Sequence, residues 1–119
     1  MNKIELHKLI KKIEELQNDK IISLNIGVAA LPVHVKICSI NPHAEERLKT
    51  RGITLEDAQS YIDNAMIMFE QKERTRLYIS GDGNSAVLIK GAELITAYPA
   101  KDFDDTIKII IEEVSKFES

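Results

Sequence analysis

The chain has 119 residues and a formal net charge of −3 at pH 7, so it is long enough for one domain, residues 1–119, with its own core. Its hydrophobic fraction of 44% and charged fraction of 29% are those of an ordinary globular protein. The negative balance excludes a protein that attracts nucleic acid through its overall field. Any RNA contact must therefore depend on a local cluster of arginines and lysines.

A reducing compartment is expected, because Cys38 is the single cysteine and cannot form an internal disulfide. Charges throughout residues 1–19 predict that there is no signal peptide, and no apolar run approaches the roughly 20 residues that span a bilayer. The sequence therefore predicts a cytoplasmic protein with no membrane contact. It contains no pattern of metal ligands or nucleotide-binding glycines, so no metal or cofactor is expected, and Cys38 is predicted to be a buried thiol.

Residues 1–40 are predicted to form a helix followed by two strands. The helix spans residues 3–17, because apolar side chains recur there at helical spacing. Those side chains are Leu6, Leu9, Ile10, Ile13 and Leu16. Strands are predicted at 20–28 and 32–39, with a turn at 27–32, since Val33, Val35 and Ile37 alternate with polar or smaller neighbours.

Two capped helices are predicted next. Asn41 caps the first, Pro42 occupies its first position and Gly52 ends it. Thr54 caps the second, and Asp57 completes a capping-box pattern. The buried face of the second helix is predicted to contain Leu55, Ala58, Ile62, Ala65 and Met66.

Four short strands and a final helix complete the predicted elements. Residues 67–72, 75–81, 85–90 and 93–98 favour strands, with tight turns at 81–84 and 90–92. Asp102 or Asp104 begins the last helix, whose apolar stripe is Ile107, Ile110, Ile111, Val114 and Phe117. The predicted fold class is α+β: an antiparallel curved sheet of four or more strands, packed by N-terminal, two central and C-terminal helices.

The first candidate site lies on the helix of residues 41–52. His43, Arg47 and Arg51 are spaced four residues apart, so they line one side of that helix. A neutral histidine can act as a general base, and arginine binds phosphate through two parallel hydrogen bonds. The same spacing also suits the solvated side of an amphipathic helix, and the sequence leaves both interpretations open.

The second candidate cluster is Lys72, Arg74, Arg76 and Tyr78, which would share one face of a strand. Such a face suits phosphate binding, and it equally suits a solvated edge strand whose charges discourage aggregation. Thr96 lies in the last predicted strand, where a threonine is common for reasons of strand propensity alone.

The residues from His43 to Arg47, those from Arg51 to Asp57 and the later segment 95–99 together resemble the barnase–EndoU–colicin–RelE superfamily, above all its phage and polymorphic-toxin nuclease branches. The usual outline is a His-Ala-x-x-Arg-x-x-x-Arg-Gly-Ile helix, a second helix and a curved antiparallel sheet whose last strand carries Ser or Thr. The resemblance covers residues 42–99. It makes 41–119 a nuclease-like core and leaves 1–40 as an extension.

This resemblance implies a metal-independent ribonuclease of toxin type that cleaves RNA, such as tRNA, through a 2′,3′-cyclic phosphate and has a cognate inhibitor protein. It implies catalytic roles for His43, Arg47, Arg76 and Thr96, with Arg74 as the alternative to Arg76 for the arginine of the sheet. The residues expected to bind phosphate or RNA are Arg51, Lys72, Arg74, Tyr78 and Tyr98.

Two features depart from the pattern. Residues 42–98 contain seven Lys/Arg against nine Asp/Glu, and the predicted strands contain no second histidine. A general acid would therefore have to be Tyr78, Tyr98 or a lysine. The alternative hypothesis is a non-catalytic protein-interaction module of phage or toxin–antitoxin origin, with a homodimer formed through residues 3–17.

Overall fold

Helices and strands alternate in blocks along the chain. The structure is a computed structural model that describes residues 3–118, with side chains described for residues 3–116. The helices are α1 Lys3–Asn18, α2 Pro42–Arg51, α3 Leu55–Asp63 and α4 Asp105–Glu118. The strands are β1 Val28–Ala30, β2 Ser39–Ile40, β3 Ala65–Glu70, β4 Thr75–Ser80, β5 Ser85–Lys90 and β6 Glu93–Pro99.

The six strands form one mixed sheet in the order β1-β3-β4-β5-β6-β2. Neighbouring strands are antiparallel except β2, which runs parallel to β6. The α+β fold class is confirmed, whereas the prediction of a wholly antiparallel sheet is wrong at β2. After β1 at one edge, the chain crosses to the opposite edge and enters β2 in the same direction as β6.

Helices cover both faces of this sheet and create two cores. Ile67, Phe69 and Ile79 point toward α1 and α4. Met68 and Tyr78, at intervening positions of the same strands, point toward α2 and α3. Both sets are buried because side chains alternate across a pleated strand and each face has its own helical cover.

The N-terminal helix is part of the first core. Leu9 and Ile13 are fully buried, and Leu16 retains 8% of its exposure. All three belong to the cluster that includes Phe69 of the sheet. The apolar side of α1 is therefore occupied by the chain's own sheet, and the proposed homodimer through residues 3–17 loses the surface on which it depended.

The predicted helix caps are confirmed. The Asn41 side chain accepts a hydrogen bond from the backbone N–H of His43 at 3.0 Å, and Gly52 ends α2 with a left-handed φ of 68°. Thr54 and Asp57 form both hydrogen bonds of a capping box. At the last helix, Asp104 accepts from the backbone N–H of Ile107 at 2.9 Å.

The predicted end of α3 is wrong. The helix stops at Asp63, and Ala65 and Met66 belong to β3. The Asn64 side chain turns back to donate to the carbonyl of Ser60 at 3.0 Å, which terminates the helix. Leu55, predicted to be buried, is 41% exposed.

The two strands predicted between residues 20 and 39 are mostly absent. Residues 24–26 form a single 3₁₀ turn, and only 28–30 and 39–40 join the sheet. Residues 31–38, called the strap below, carry no regular structure. Side chains hold most of the strap: Gln59 bonds to the backbone of Val35 and Ile37, and the Tyr78 hydroxyl donates to the carbonyl of Val33. At its end, the Cys38 N–H donates to the carbonyl of Ala92 at 2.8 Å.

Three smaller expectations concern exposure and the membrane. Cys38 is exposed rather than buried, because the strap carries it on the surface. In the last helix, Ile107, Ile110 and Val114 are buried as predicted, while the Phe117 side chain lies outside the described residues. Within residues 3–118, no helix has both the length and the apolar character needed to cross a bilayer.

Candidate functional site

A groove lies at the sheet edge between α2 and β6. Strand β2 pairs only with Glu93 and Leu94, so residues 95–99 of β6 have no strand partner on that side. The C-terminal end of α2 lies against this open stretch. The groove has a volume of about 270 Å³ and contains Arg47, Arg51, Thr96, Tyr98, Asp102 and Asp104. It is called the α2–β6 groove below, and it brings together four of the predicted site residues.

Arg51 ties the two walls of this groove together. Its Nη1 donates to Thr96 Oγ1 at 3.1 Å and to the carbonyl of Ala97 at 2.8 Å. Its Nε lies 3.6 Å from an oxygen of Asp102, and its guanidinium carbon lies 5.9 Å from the centre of the Tyr98 ring. The bond to the Ala97 carbonyl replaces the hydrogen bond that a neighbouring strand would otherwise donate to this open edge of β6. The contacts of Arg51 also leave the hydroxyl hydrogen of Thr96 available, because its oxygen is already the acceptor.

Arg47 lies one helical turn before Arg51 and has a different environment. Its side chain is exposed, and it makes no hydrogen bond or ion pair with any residue in the described part of the chain. Arg51 already holds Thr96 and the Ala97 carbonyl through its Nη1, whereas Arg47 keeps all of its donors for an anion.

His43 lies a further turn toward the start of α2. Its backbone N–H is bonded to the capping side chain of Asn41, and its imidazole is exposed. The four-residue spacing places it on the same side of the helix as Arg47. His43 therefore flanks the groove at the helix start, and the groove lining itself begins at Arg47.

The groove also contains two acidic residues that the sequence does not mark as site residues. Asp102 and Asp104 are predicted only as possible starts of the last helix, yet both line the groove beside Tyr98. Their place in the sequence could have indicated this position. Both aspartates follow the last strand after only a short connection, so they had to lie near its end. Their two carboxylates oppose the two arginines, so the groove is charged without being strongly basic.

The phenol of Tyr98 is held in its protonated form. Burial raises the pKa of Tyr98 above its ordinary value of 10.0, and the Asp104 carboxylate adds to the rise, while the Arg51 charge opposes it. The ring also packs edge-on against Phe103, with ring centres 5.8 Å apart. Tyr98 therefore remains a proton donor across the neutral and mildly alkaline range.

This shift predicts that stability will depend on pH above the neutral range. A phenol whose pKa is higher in the folded than in the unfolded protein contributes its full stability below 10.0, and that contribution is lost as the pH rises through the folded value. We expect the free energy of unfolding of Tyr98→Phe, measured in urea, to fall less between neutral and strongly alkaline pH than that of the unaltered protein. Tyr61→Phe is the matched control for removing one phenol, and equal losses in all three proteins would contradict the prediction.

Arg76 and Tyr78 lie on the other face of the sheet from Thr96. Arg76 pairs across the ladder with Ile89, which belongs to the core under α2 and α3. Thr96 pairs with Leu88, which packs against the opposite core. Paired residues share a face, so the sheet separates Arg76 from Thr96, and one phosphate cannot contact both.

Tyr78 is fully buried beneath the strap. Its hydroxyl donates to the carbonyl of Val33 at 2.5 Å. Burial raises the pKa of Tyr78, and the nearby Arg76 charge partly offsets the rise. This phenol holds the strap and has no access to a ligand.

The expectation that Lys72 and Arg74 share a strand face with Arg76 is wrong. Strand β4 begins at Thr75, so Lys72 and Arg74 belong to the turn between β3 and β4. The turn closes through a bond from the Thr75 N–H to the Lys72 carbonyl at 3.2 Å. A tight turn reverses the chain within these residues, so the alternation assumed for a strand does not apply.

The remaining histidines and carboxylates do not gather into a further centre. His34 of the strap lies 3.0 Å from Asp63, and both side chains are largely exposed. Among residues 3–118, no three His, Cys, Asp or Glu side chains are grouped so that they could hold a metal ion. The α2–β6 groove therefore brings together four of the predicted site residues, Arg47, Arg51, Thr96 and Tyr98.

Comparisons with models of known protein families, with curated proteins and with solved structures find no match to this chain.

Proposed function

We propose that this chain is a metal-independent endoribonuclease whose active site is the α2–β6 groove. The observation that supports this proposal is the convergence of Arg47, Arg51, Thr96 and Tyr98 from segments that are some 45 residues apart in the chain. Cations, a free hydroxyl hydrogen and a protonated phenol in one groove can bind a phosphodiester and protonate its leaving group, and His43, which flanks the groove, is the proposed base.

In the proposed reaction, the His43 imidazole removes the proton from a ribose 2′-hydroxyl. The freed oxygen attacks the adjacent phosphorus and forms the 2′,3′-cyclic phosphate. Arg47 binds a non-bridging oxygen of that phosphate, where negative charge develops in the transition state. The Thr96 hydroxyl, held by Arg51, donates its hydrogen to a second oxygen.

The departing 5′-oxygen needs a proton, and Tyr98 is the proposed donor. It lines the groove, and its raised pKa keeps the phenol protonated at neutral pH. Transfer of this proton yields a free 5′-hydroxyl on the leaving strand and a phenolate that regains a proton from water. Asp104, which lies near Tyr98, favours return of the proton for electrostatic reasons.

The proposed mechanism differs from the one that the resemblance implies in the role of Arg76. Arg76 lies across the sheet from Thr96, so it has no part in this site. Arg51 acts as a positioning residue rather than as the main phosphate ligand, because its Nη1 holds Thr96 and the Ala97 carbonyl and its Nε faces Asp102.

Purified protein incubated with total RNA, tRNA and synthetic oligonucleotides in excess EDTA tests the proposal. We expect cleavage that yields 2′,3′-cyclic phosphate and 5′-hydroxyl ends, both identifiable by mass spectrometry, and no cleavage of a matched 2′-deoxy substrate. RNA that stays intact, or products with 5′-phosphates, would contradict the proposed mechanism. Intact RNA would favour the alternative of a non-catalytic protein-interaction module.

A further inference from the structure

A second concave site lies away from the α2–β6 groove, at the end of the sheet where the β3–β4 turn meets the β5–β6 turn. It has a volume of about 610 Å³ and is closed on one side by Val35 of the strap. Its charged lining consists of Arg74, Arg76 and Glu70, and Gly91 forms part of its floor. We call it the Arg74 cleft.

The turn that carries Arg74 adopts an unfavourable backbone conformation. Glu73 and Arg74 have φ values of 59° and 62°, as in the hairpin turn for which Asn-Gly is the preferred pair. Residues with side chains rarely adopt such angles, so two of them in succession mark a strained turn. The conformation places the Arg74 guanidinium over the backbone of Gly91, where a Cβ atom would lie only 3.4 Å from it.

The two arginines of the cleft differ in how they are engaged. Arg76 Nε lies 3.8 Å from Glu70, a long ion pair with a half-exposed carboxylate. Arg76 also contacts the Tyr78 hydroxyl below it. Arg74 is exposed and makes no side-chain hydrogen bond or ion pair with any residue of the described range. One guanidinium is therefore free, and the other is held by a partner that an incoming anion can replace.

From this arrangement we infer that the Arg74 cleft binds a phosphate group. Arg74 supplies a planar pair of donors for two phosphate oxygens, and Arg76 supplies a second cation once its pairing with Glu70 is exchanged. Glu70 is the one carboxylate among the lining residues, and its negative charge lowers the affinity of the cleft for phosphate.

This site is independent of the proposed active site. Arg76 faces the helices α2 and α3, while Thr96 and Tyr98 lie on the other face of the sheet with the residues that contact α1 and α4. A ligand in one site cannot reach the other without passing around the sheet edge. Binding at the Arg74 cleft can therefore be measured whether or not the protein cleaves RNA.

The test is a titration with inorganic phosphate, followed by two-dimensional NMR of backbone amides. We expect the amides of Gly91 and Ala92 to shift with a dissociation constant in the millimolar range, and Arg74→Gln to weaken this binding about tenfold, because a charge-assisted contact is lost. Glu70→Gln is expected to tighten it, since the opposing charge is removed. Arg47→Gln, which alters the other site, is the matched control and should leave these shifts unchanged.

A second titration, with a 2′-O-methyl RNA hexamer that cannot be cleaved, identifies the source of the phosphate. If the hexamer shifts the Gly91 and Ala92 amides and Arg74→Gln weakens it, the cleft takes a phosphate of the RNA backbone. If only inorganic phosphate does so, the cleft takes a free phosphate group. Absence of shifts at Gly91 and Ala92 with inorganic phosphate, or equal affinity in Arg74→Gln, would overturn the inference.

Discussion

Replacing His43 by alanine is expected to lower the rate of RNA cleavage by about 10²–10⁴-fold, the usual contribution of a general base. The imidazole is exposed and makes no side-chain hydrogen bond or ion pair within the described residues. Its removal therefore costs little stability, and the loss of activity can be assigned to chemistry. The measurement is single-turnover cleavage of an oligoribonucleotide that the unaltered protein cuts.

The structure offers a matched control for this variant. His34 is also exposed, and it lies on the strap next to Asp63 rather than on α2. His34→Ala should cleave at the unaltered rate if the active site is the α2–β6 groove. A His43→Ala protein that keeps full activity would remove His43 from the mechanism, and loss of activity in His34→Ala alone would place the chemistry near the strap.

Replacing Ile13 by alanine is expected to lower the free energy of unfolding by about 2–5 kcal/mol, the usual cost of truncating a buried isoleucine. Ile13 is fully buried in the cluster that contains Phe69 of the sheet. A domain of this size has a total stability of about 5–15 kcal/mol, so one such substitution removes a large part of it. Urea denaturation followed by far-ultraviolet circular dichroism measures the change.

Lys12→Ala is the control for Ile13→Ala, because Lys12 lies on the exposed side of the same helix and should change stability by no more than about 0.5 kcal/mol. This comparison tests the role of residues 1–40. If they formed a separable extension of a core at 41–119, Ile13→Ala would leave the main unfolding transition in place. A single cooperative transition that moves to lower urea would show that α1 folds with the sheet.

The two experiments address different parts of the proposals. His43→Ala tests the chemistry at the start of α2, and Ile13→Ala tests the packing that supports the sheet from the other face. The groove depends on both, because Thr96 and Tyr98 lie on the face that α1 and α4 cover. Weakened packing under that face should also reduce cleavage, although less than loss of the base does.

Local sequence patterns predicted the helices around the site well. The cap of α2 at Asn41, its end at Gly52 and the capping box of Thr54 with Asp57 are all present. Such signals act over three or four residues, because a side chain satisfies a backbone donor close to it in the chain. The limits of β5 were also predicted correctly, since tight turns flank it on both sides.

The segment from 20 to 40 shows where local patterns fail. Val33, Val35 and Ile37 alternate as in a half-buried strand, yet Val33 is 45% exposed and only Ile37 is buried. The strap is hydrogen-bonded by the side chains of Gln59 and Tyr78, which are 22 to 45 residues away in the chain, and by the Ala92 carbonyl. Hydrogen-bond partners so far away in the chain do not change the local alternation of apolar and polar side chains. The sequence therefore could not distinguish a strap from a strand.

By itself, the sequence determined that the chain is α+β, that His43, Arg47 and Arg51 lie along one side of a capped helix, and that Thr96 and Tyr98 follow on a late strand. Only the tertiary structure decided which of these groups meet. Because β2 covers only the start of β6, the remaining edge is open to Arg51, and the groove forms there. Because β4 and β6 present Arg76 and Thr96 to opposite faces, the one site implied by the resemblance becomes two separate places in the fold. The register of strand pairing decides which side chains share a face. That register depends on contacts between residues far apart in the chain, which local spacing does not encode.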